Sequence, residues 1–139
     1  MKWNYNDGGR ANAGYKGTAG DCACRAISIA TGMPYKDVYK LINEYGKKER
    51  RKDKSSARTG VYMDTMKKIM EDIGWEWHPT MKIGTGCKVH MRENELPSGT
   101  IITRLSKHYA TVIDGVLNDT YDSSRNGTRC VYGYWKKSS

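Results

Sequence analysis

The sequence predicts a single α+β domain, with helices in the first half of the chain and antiparallel strands in the second. The chain has 139 residues, which is the size of one ordinary domain. Apolar residues recur at helical spacing as far as residue 73, and after residue 75 they follow the short apolar runs typical of strands. No internal repeat or linker divides the chain, so residues 1–139 are expected to form one domain.

Three helices are predicted in the first half, after an opening loop. Residues 1–20 combine five glycines with Asn and Asp, which is loop composition. Asp21 is expected to be the N-cap of the first helix, over residues 22–31. A proline suited to a first helical turn starts the second helix, over residues 34–46. The third helix is predicted over residues 61–73, and a glycine follows it.

The second half is predicted to supply the strands of one antiparallel sheet. The pair Asp114-Gly115 is a strong signal for a tight hairpin turn between two of these strands. The apolar residues of segment 80–94 follow neither helical nor strand spacing, so this segment receives no assignment. The predicted strands are residues 75–77, 100–105, 108–113, 116–119 and 130–135.

The bulk composition restricts the class of protein. Mean hydropathy is −0.79, and no apolar run approaches the roughly 20 residues of a membrane span. The first residues lack the apolar stretch of a signal peptide, so a cytoplasmic location without a membrane partner is expected. The four cysteines are then expected to be free thiols. Their spacing does not match a zinc knuckle, so no metal or other cofactor is expected.

The formal net charge is +9, and much of the excess lies in residues 47–54. A solvated loop is the favoured interpretation of this basic run. The alternative is a patch that binds nucleic acid or an acidic protein partner through Arg50, Arg51 and Lys52.

Cys22 is the first candidate for chemistry, because it lies at the predicted start of a helix. Free N–H groups and the helix dipole at this position favour a thiolate, and they can also stabilise an oxyanion. Cys24 is the alternative nucleophile. It lies about 200° further around the helix, so only one of the two thiols can face a given site. Cys22 is favoured since it alone occupies the helix start.

His108 is the candidate base, since it begins a predicted strand that a hairpin pairs with an acid-bearing strand. Asp119 is the first choice for the group that orients its imidazole. Asn118 and Asp122 stay open as alternatives, because a change of one residue in register exchanges the faces of a strand. The other two histidines are His78 and His90. They lie in less regular sequence and have no clear carboxylate partner.

Two parts of the chain resemble small papain-like cysteine hydrolases found in phage and bacterial genomes. One is residues 20–27, GDCACRAI, with residues 30–35, ATGMPY; the other is residues 108–115, HYATVIDG, with residues 118–120, NDT. The resemblance covers most of the chain, including residues 7–10, and is patchy from residue 47 to residue 95. It implies a papain-like fold in which N-terminal helices pack on a C-terminal antiparallel sheet. It also implies a phage or prophage origin, and for a phage-encoded protein the expected location is the host cytoplasm.

The resemblance further implies Cys22 as nucleophile, His108 as base and Asp119 as orienting acid. The papain pattern places a Gln about six residues before the cysteine as an oxyanion donor. Here that position holds Lys16, and the chain contains no Gln. Lys16 and Asn12 are therefore the candidate side-chain donors, with backbone N–H groups alone as the alternative.

The expected function is a thiol hydrolase that cleaves a peptide, an isopeptide or another amide through an acyl-enzyme. An acyl transferase, in which an amine replaces water, would use the same residues. Substrate recognition is expected in residues 1–20 and 80–94. The alternative function is a catalytically weak papain-like phage protein that binds or inhibits a host protein or nucleic acid.

Overall fold

The computed structural model describes residues 1–17 and 19–138. In this part of the chain it contains three α-helices, six strands and one short 3-10 turn. The helices are α1 (Cys22–Thr31), α2 (Tyr35–Lys47) and α3 (Met63–Asp72), and the 3-10 turn is Glu93–Glu95. The strands are β1 (Lys2–Tyr5), β2 (Trp75–Pro79), β3 (Thr100–Leu105), β4 (His108–Ile113), β5 (Val116–Asp119) and β6 (Gly133–Lys137).

The six strands form one mixed sheet in the order β1-β5-β4-β3-β6-β2. The α+β class is as predicted, but the expected purely antiparallel, C-terminal sheet is wrong at one edge. There β1 runs parallel to β5, within residues that were predicted to be loop. All four residues of β1 are exposed, so they show no buried alternation. Their strand conformation comes from pairing with an available sheet edge, which local sequence does not reveal.

The three helices lie close to their predicted positions. Gly32 ends α1 in the left-handed conformation, with φ of 77°, which glycine adopts readily. Asp21 is the N-cap residue of α1, as predicted, and its carbonyl accepts from the Arg25 N–H at 3.0 Å, but its side chain makes no capping bond. Its carboxylate instead lies in the protein interior, only 3% exposed. None of the helices in residues 1–17 and 19–138 is long and apolar enough to cross a membrane.

The hydrophobic core has two parts, one on each face of the sheet. The first lies between the sheet and the helices, and it includes Ile27, Met66 and Trp135. The second includes Met91 and Leu117. Strand residues alternate between the two parts, as side chains on successive strand positions do. Residues 89–96, most of which received no assignment from the sequence, contribute Met91 to this second part of the core. They pack on the second face of the sheet and are called the covering segment below.

A disulfide between Cys87 and Cys130 ties this covering segment to the chain that leads into β6. The expectation of four free thiols is wrong for these two cysteines, and Cys22 and Cys24 are free. The two half-cystines are 43 residues apart in sequence. Their segments meet through the pairing of His90 with Cys130 across an isolated bridge and through the backbone bonds beside it. Disulfides are uncommon in cytosolic proteins, so this one gives no support to the cytoplasmic expectation.

The candidate residues lie where three neighbouring strands end or begin, a place called the sheet edge below. The end of β3, the start of β4 and the end of β5 lie there, because the three strands are antiparallel neighbours. Helix α1 packs against the same strands. The pairing of β4 with β5 stops at Thr111 and Asn118, so His108 and Asp119 lie beyond its last pair. Side chains from α1 can therefore reach both residues.

Candidate active site

Cys22, His108 and Asp119 come together at this sheet edge. Nε2 of His108 lies 2.7 Å from Oδ2 of Asp119, and the two side chains are 8% and 3% exposed. The Cys22 thiol lies close enough to the His108 ring that each group shifts the pKa of the other, the thiol's downward and the imidazole's upward. Since Nε2 faces Asp119, Nδ1 is the ring nitrogen left for the thiol. The structure thus places a thiol, an imidazole and a carboxylate in the order that a cysteine hydrolase needs.

The strand register explains why Asp119, and not a neighbour, reaches the imidazole. Thr111 pairs with Asn118 across the two strands. Continuing that register places Ala110 opposite Asp119, and His108 lies two residues further along on the same face. The two side chains are therefore diagonal neighbours on one face of the sheet.

The two alternatives for the third residue are engaged elsewhere. The Asn118 side chain accepts a hydrogen bond from Nδ2 of Asn4 at 2.9 Å and donates to the carbonyl of Val116 at 3.1 Å. Oδ1 of Asp122 accepts from the backbone and hydroxyl of Ser124 at 3.1 and 2.6 Å. Asn118 supports the parallel pairing of the first strand, and Asp122 stabilises a turn.

The electrostatics of the site favour a charged pair. Burial raises the pKa of the Cys22 thiol, but interaction with His108 lowers it. The Tyr109 N–H and the Arg25 charge lower it further, so the pKa of Cys22 is lowered overall. Burial lowers the pKa of His108, but its hydrogen bonds to Asp119 and Cys22 raise it overall. Burial raises the pKa of Asp119, but His108 lowers it overall. These shifts favour a thiolate beside an imidazolium.

Asp119 is held by four donors besides its own strand. Oδ2 accepts from Ser123 Oγ at 2.8 Å as well as from His108. Oδ1 accepts from the Thr120 N–H at 2.7 Å and lies 3.3 Å from Nη2 of Arg25. A carboxylate with this many donors stays ionised and keeps one orientation. It can therefore hold the imidazole in a single rotamer and tautomer.

Arg25 is the functional residue that the sequence analysis missed. Its guanidinium lies between two buried carboxylates, and it bonds Asp21 as well as Asp119. Asp21 also accepts from the Tyr35 hydroxyl at 2.6 Å and lies 3.5 Å from Nε of Arg10. The negative charge at the helix start, which by itself opposes a thiolate, is thus compensated by two cations. The available signal was the spacing, since Arg25 follows Asp21 by four residues on one helix face.

Cys24 is buried in the core, with no exposed surface. Its Sγ lies 3.7 Å from the carbonyl oxygen of Tyr35, and burial raises the pKa of the thiol to about 12. A protonated thiol without access to solvent is a poor nucleophile. The geometry therefore favours Cys22 over Cys24, in agreement with the reasoning from the helix start.

The two other histidines have acidic neighbours that the sequence did not reveal. Nδ1 of His90 lies 3.1 Å from Oε1 of Glu95, and Nε2 of His78 lies 3.7 Å from Oε2 of Glu76. The expectation that they lack a carboxylate partner is wrong. Cys130, the cysteine paired with His90 across a bridge, belongs to the disulfide. In residues 1–17 and 19–138, no group of three or more His, Cys, Asp or Glu is placed to hold a metal ion.

A cleft of about 880 Å³ opens over Cys22 and His108. Residues 59–63, which lead into α3, form the wall facing the sheet, and residues 53–54 extend that wall. Of the two segments predicted to recognise substrate, residues 1–20 contribute only Ala19 and Gly20 to the described lining, and residues 80–94 contribute none. Residues 53–54, from the basic run predicted to be a solvated loop, and residues 59–63, which include the predicted start of the third helix, take that place.

Glu49 orders this wall. Its carboxylate, 5% exposed, accepts from the backbone N–H and the hydroxyl of Ser55 at 2.5 and 2.6 Å, and from the hydroxyl of Thr65. The Tyr109 hydroxyl donates to the carbonyl of Val61 at 2.9 Å, which ties the wall to the sheet. The wall is therefore held by hydrogen bonds at both ends, and these bonds fix the shape of the cleft.

The predicted basic patch is only partly free. Arg51 donates from Nη2 to Oδ2 of Asp64 at 2.6 Å and stacks on the Tyr62 ring at 4.0 Å from its centre. Arg50 and Lys52 are exposed. The middle cation of the three therefore supports the wall of the cleft, which reduces the charge available for a phosphate backbone.

The two candidate oxyanion side chains, Lys16 and Asn12, belong to the chain before α1. Lys16 is exposed, and its carbonyl accepts from Nη2 of Arg10 at 3.1 Å. Asn12 lines a separate surface pocket next to Tyr35. Neither is among the described residues that line the cleft. Cys22 is the first residue of α1, so its own N–H has no acceptor within the helix and remains the candidate donor.

Comparison with protein-family models, with curated proteins and with solved structures gives no match for this chain.

Proposed function

We propose that this protein is a papain-like thiol hydrolase that cleaves an amide bond through an acyl-enzyme. One observation carries the proposal: a free cysteine at a helix start shares a buried site with a histidine whose other ring nitrogen is held by a carboxylate at 2.7 Å. The lowered pKa of Cys22 and the raised pKa of His108 support it. This combination is the physical requirement for a nucleophilic thiolate near neutral pH.

In the proposed reaction, the Cys22 thiolate attacks the carbonyl carbon, and the carbonyl π electrons move onto oxygen. The C–N bond then breaks, and the His108 imidazolium gives its proton to the leaving amine. The acyl group remains on sulfur as a thioester. Neutral His108 next takes a proton from water while the water oxygen attacks the thioester, and release of the carboxylic acid restores the thiolate–imidazolium pair.

The helix start supplies the electrostatic part of this mechanism. Negative charge develops on the carbonyl oxygen beside Cys22, where first-turn N–H groups point out of α1. Asp119 keeps the imidazole oriented through both steps, and the charge on Asp21 is compensated by Arg25 and Arg10. The peptide, isopeptide or other amide that serves as substrate enters through the cleft above the thiol.

The test is the pH dependence of Cys22 alkylation by iodoacetamide, followed by peptide mass spectrometry. In the wild type, we expect the rate to rise and level off well below pH ~8.5, the ordinary thiol pKa. In His108→Ala, the profile moves toward that value, and the rate at pH 6 falls about tenfold or more, since each pKa unit changes the thiolate fraction tenfold.

His90→Ala is the matched control, because it removes an imidazole that also has a carboxylate partner. This variant should leave the alkylation profile unchanged, and Cys22→Ser identifies the labelled residue. Ordinary thiol behaviour in both the wild type and His108→Ala would contradict the proposal. That result would instead favour the alternative of a papain-like fold kept for binding a host protein.

A further inference from the structure

The cleft over Cys22 has more unpaired positive than negative charge. Arg25 and Asp21 line it but neutralise each other. Arg104 and Lys107 also line it, and neither makes an ion pair among the described residues, whereas their only acidic counterpart in the lining is the exposed Asp53. Lys54 is a third, exposed cation in the lining, but it belongs to the opposite wall, directly after Asp53 in sequence. Arg104 and Lys107 stand on the sheet side, next to His108, so their charge lies close to the reacting atoms.

Arg104 is held in place. Its guanidinium stacks over the Tyr109 ring at 4.5 Å from the ring centre, and the two residues are paired across β3 and β4. Tyr109 is itself fixed by its bond to the Val61 carbonyl. Stacking leaves the N–H groups at the edge of the guanidinium plane free to bind an anion. Because the donor is fixed before binding, little entropy is lost when an anion arrives.

Lys107 adds a second cation on the same side. It immediately precedes His108 in the turn between β3 and β4 and is exposed. The half-exposed Tyr121 ring packs against the His108 imidazole at 5.5 Å between ring centres. A stacked guanidinium, an exposed ammonium and an aromatic surface make a small site beside His108 that suits a single carboxylate better than an extended polyphosphate.

We propose that the substrate carries a carboxylate next to the scissile carbonyl, as an acidic side chain or a chain terminus, and that Arg104 and Lys107 bind it. This inference rests on the proposed function, since it assigns the substrate class of the same site. Arg104 would supply the directional hydrogen bonds, and Lys107 would supply charge that attracts the acidic group into the cleft.

Two alkylating reagents that differ by one charge test the proposal without a known substrate. Iodoacetate carries a carboxylate beside its reactive carbon, and iodoacetamide carries a neutral amide of the same size. We expect the iodoacetate-to-iodoacetamide rate ratio at Cys22 to fall about three- to fivefold in Arg104→Gln and in Lys107→Gln. Arg104→Lys should retain most of the ratio, and added salt should lower it in the wild type.

Lys88→Gln is the matched control, because it removes one exposed cation that does not line the cleft. It should leave the ratio unchanged. A ratio that is the same in Arg104→Gln, Lys107→Gln and the wild type would overturn the proposal. If Cys22 reacts with iodoacetamide as an ordinary thiol while the ratio still falls in Arg104→Gln, the hydrolase proposal fails and the carboxylate site stands.

Peptidyl chloromethyl ketones with Glu or Gln next to the reactive carbonyl extend the test to the proposed substrate class. The two compounds have nearly the same shape, so a preference for Glu measures charge recognition. We expect inactivation by the Glu compound to be the faster, and the difference to be lost in the double variant Arg104→Gln, Lys107→Gln. Equal rates in the wild type would count against recognition of an acidic side chain.

Discussion

Two clusters in this molecule contain the same three kinds of residue, and only one has the properties of a reactive site. The edge cluster consists of Cys22, His108 and Asp119. The surface cluster consists of Cys130, paired with His90 across a bridge, and Glu95, which binds the His90 ring. Each cluster thus has a cysteine, a histidine and a carboxylate, so the presence of these residue types does not decide what a cluster can do.

Burial and the state of the sulfur separate the two clusters. The imidazole–carboxylate contact at the edge is 2.7 Å, between side chains that are 8% and 3% exposed. The contact at the surface is 3.1 Å, between side chains that are 29% and 22% exposed. Water screens the surface pair and leaves the edge pair strongly coupled. The surface sulfur is also bonded in a disulfide, whereas the edge sulfur is a free thiol.

The largest effect is expected on stability, from removal of Arg25, the buried cation that contacts the Asp119 carboxylate of the edge cluster. Arg25→Met leaves the carboxylates of Asp21 and Asp119 buried without the guanidinium that they share. Loss of one partner from a buried ion pair costs about 3–5 kcal/mol. We expect the free energy of unfolding, measured in urea, to fall by about this amount at pH 7.

Arg92→Met is the control for this prediction in the surface cluster. Arg92 pairs with Glu95 at 3.1 Å and donates from Nε to the Gly127 carbonyl at 2.7 Å, but its side chain is 49% exposed. An exposed pair contributes about 0–1 kcal/mol, so this variant should stay close to the wild type. Equal losses in Arg25→Met and Arg92→Met would show that burial does not separate the two clusters.

The next effect belongs to the surface cluster and concerns stability. The disulfide from Cys87 to Cys130 closes a loop across 43 residues, and chain entropy alone assigns such a loop about 4 kcal/mol. Replacement of both residues by Ser should lower the free energy of unfolding by about 2–4 kcal/mol. The pH profile of Cys22 alkylation should not move. A changed profile would show that the covering segment supports the edge cluster.

Much of the fold follows from local sequence, because most elements carry their own signals. The helix from residue 22 to residue 31 was predicted with its observed bounds, since a glycine ends it. The hairpin at Asp114-Gly115 has the expected turn chemistry. The first strand was missed, because its residues are exposed and gain their conformation only from pairing. The disulfide was missed for a similar reason, as its halves meet only through tertiary structure.

The candidate site divides in the same way. Cys22 and His108 could be chosen because a helix start and a strand start are local features. Asp119 could be favoured over its neighbours only once the hairpin register was known. Arg25 was missed because its importance lies in joining Asp21 to Asp119, 98 residues apart in the printed sequence. The wall of the cleft was missed because Glu49 organises it through contacts with Ser55 and Thr65.

The smallest effect is expected in the pH profile of Cys22 alkylation. It compares Asp119 of the edge cluster with Glu95 of the surface cluster. In Asp119→Asn, His108 loses the negative charge that helps to raise its pKa, and its hydrogen bond is made to a neutral amide oxygen, so the imidazolium becomes less populated. The Cys22 thiolate then loses part of the charge that lowers its own pKa. The rise of the alkylation rate should therefore move to higher pH by about one unit, which corresponds to about 1.4 kcal/mol.

Glu95→Gln makes the equivalent change in the surface cluster. His90 loses a partner that water already screens, and no thiol depends on it, so the Cys22 profile should stay where it is. A shift of the profile in both variants would point to a general effect of net charge, since each substitution removes one negative charge from the chain. A shift in Asp119→Asn alone would show that a carboxylate matters here through its direct contact with the imidazole, and burial is what makes that contact strong.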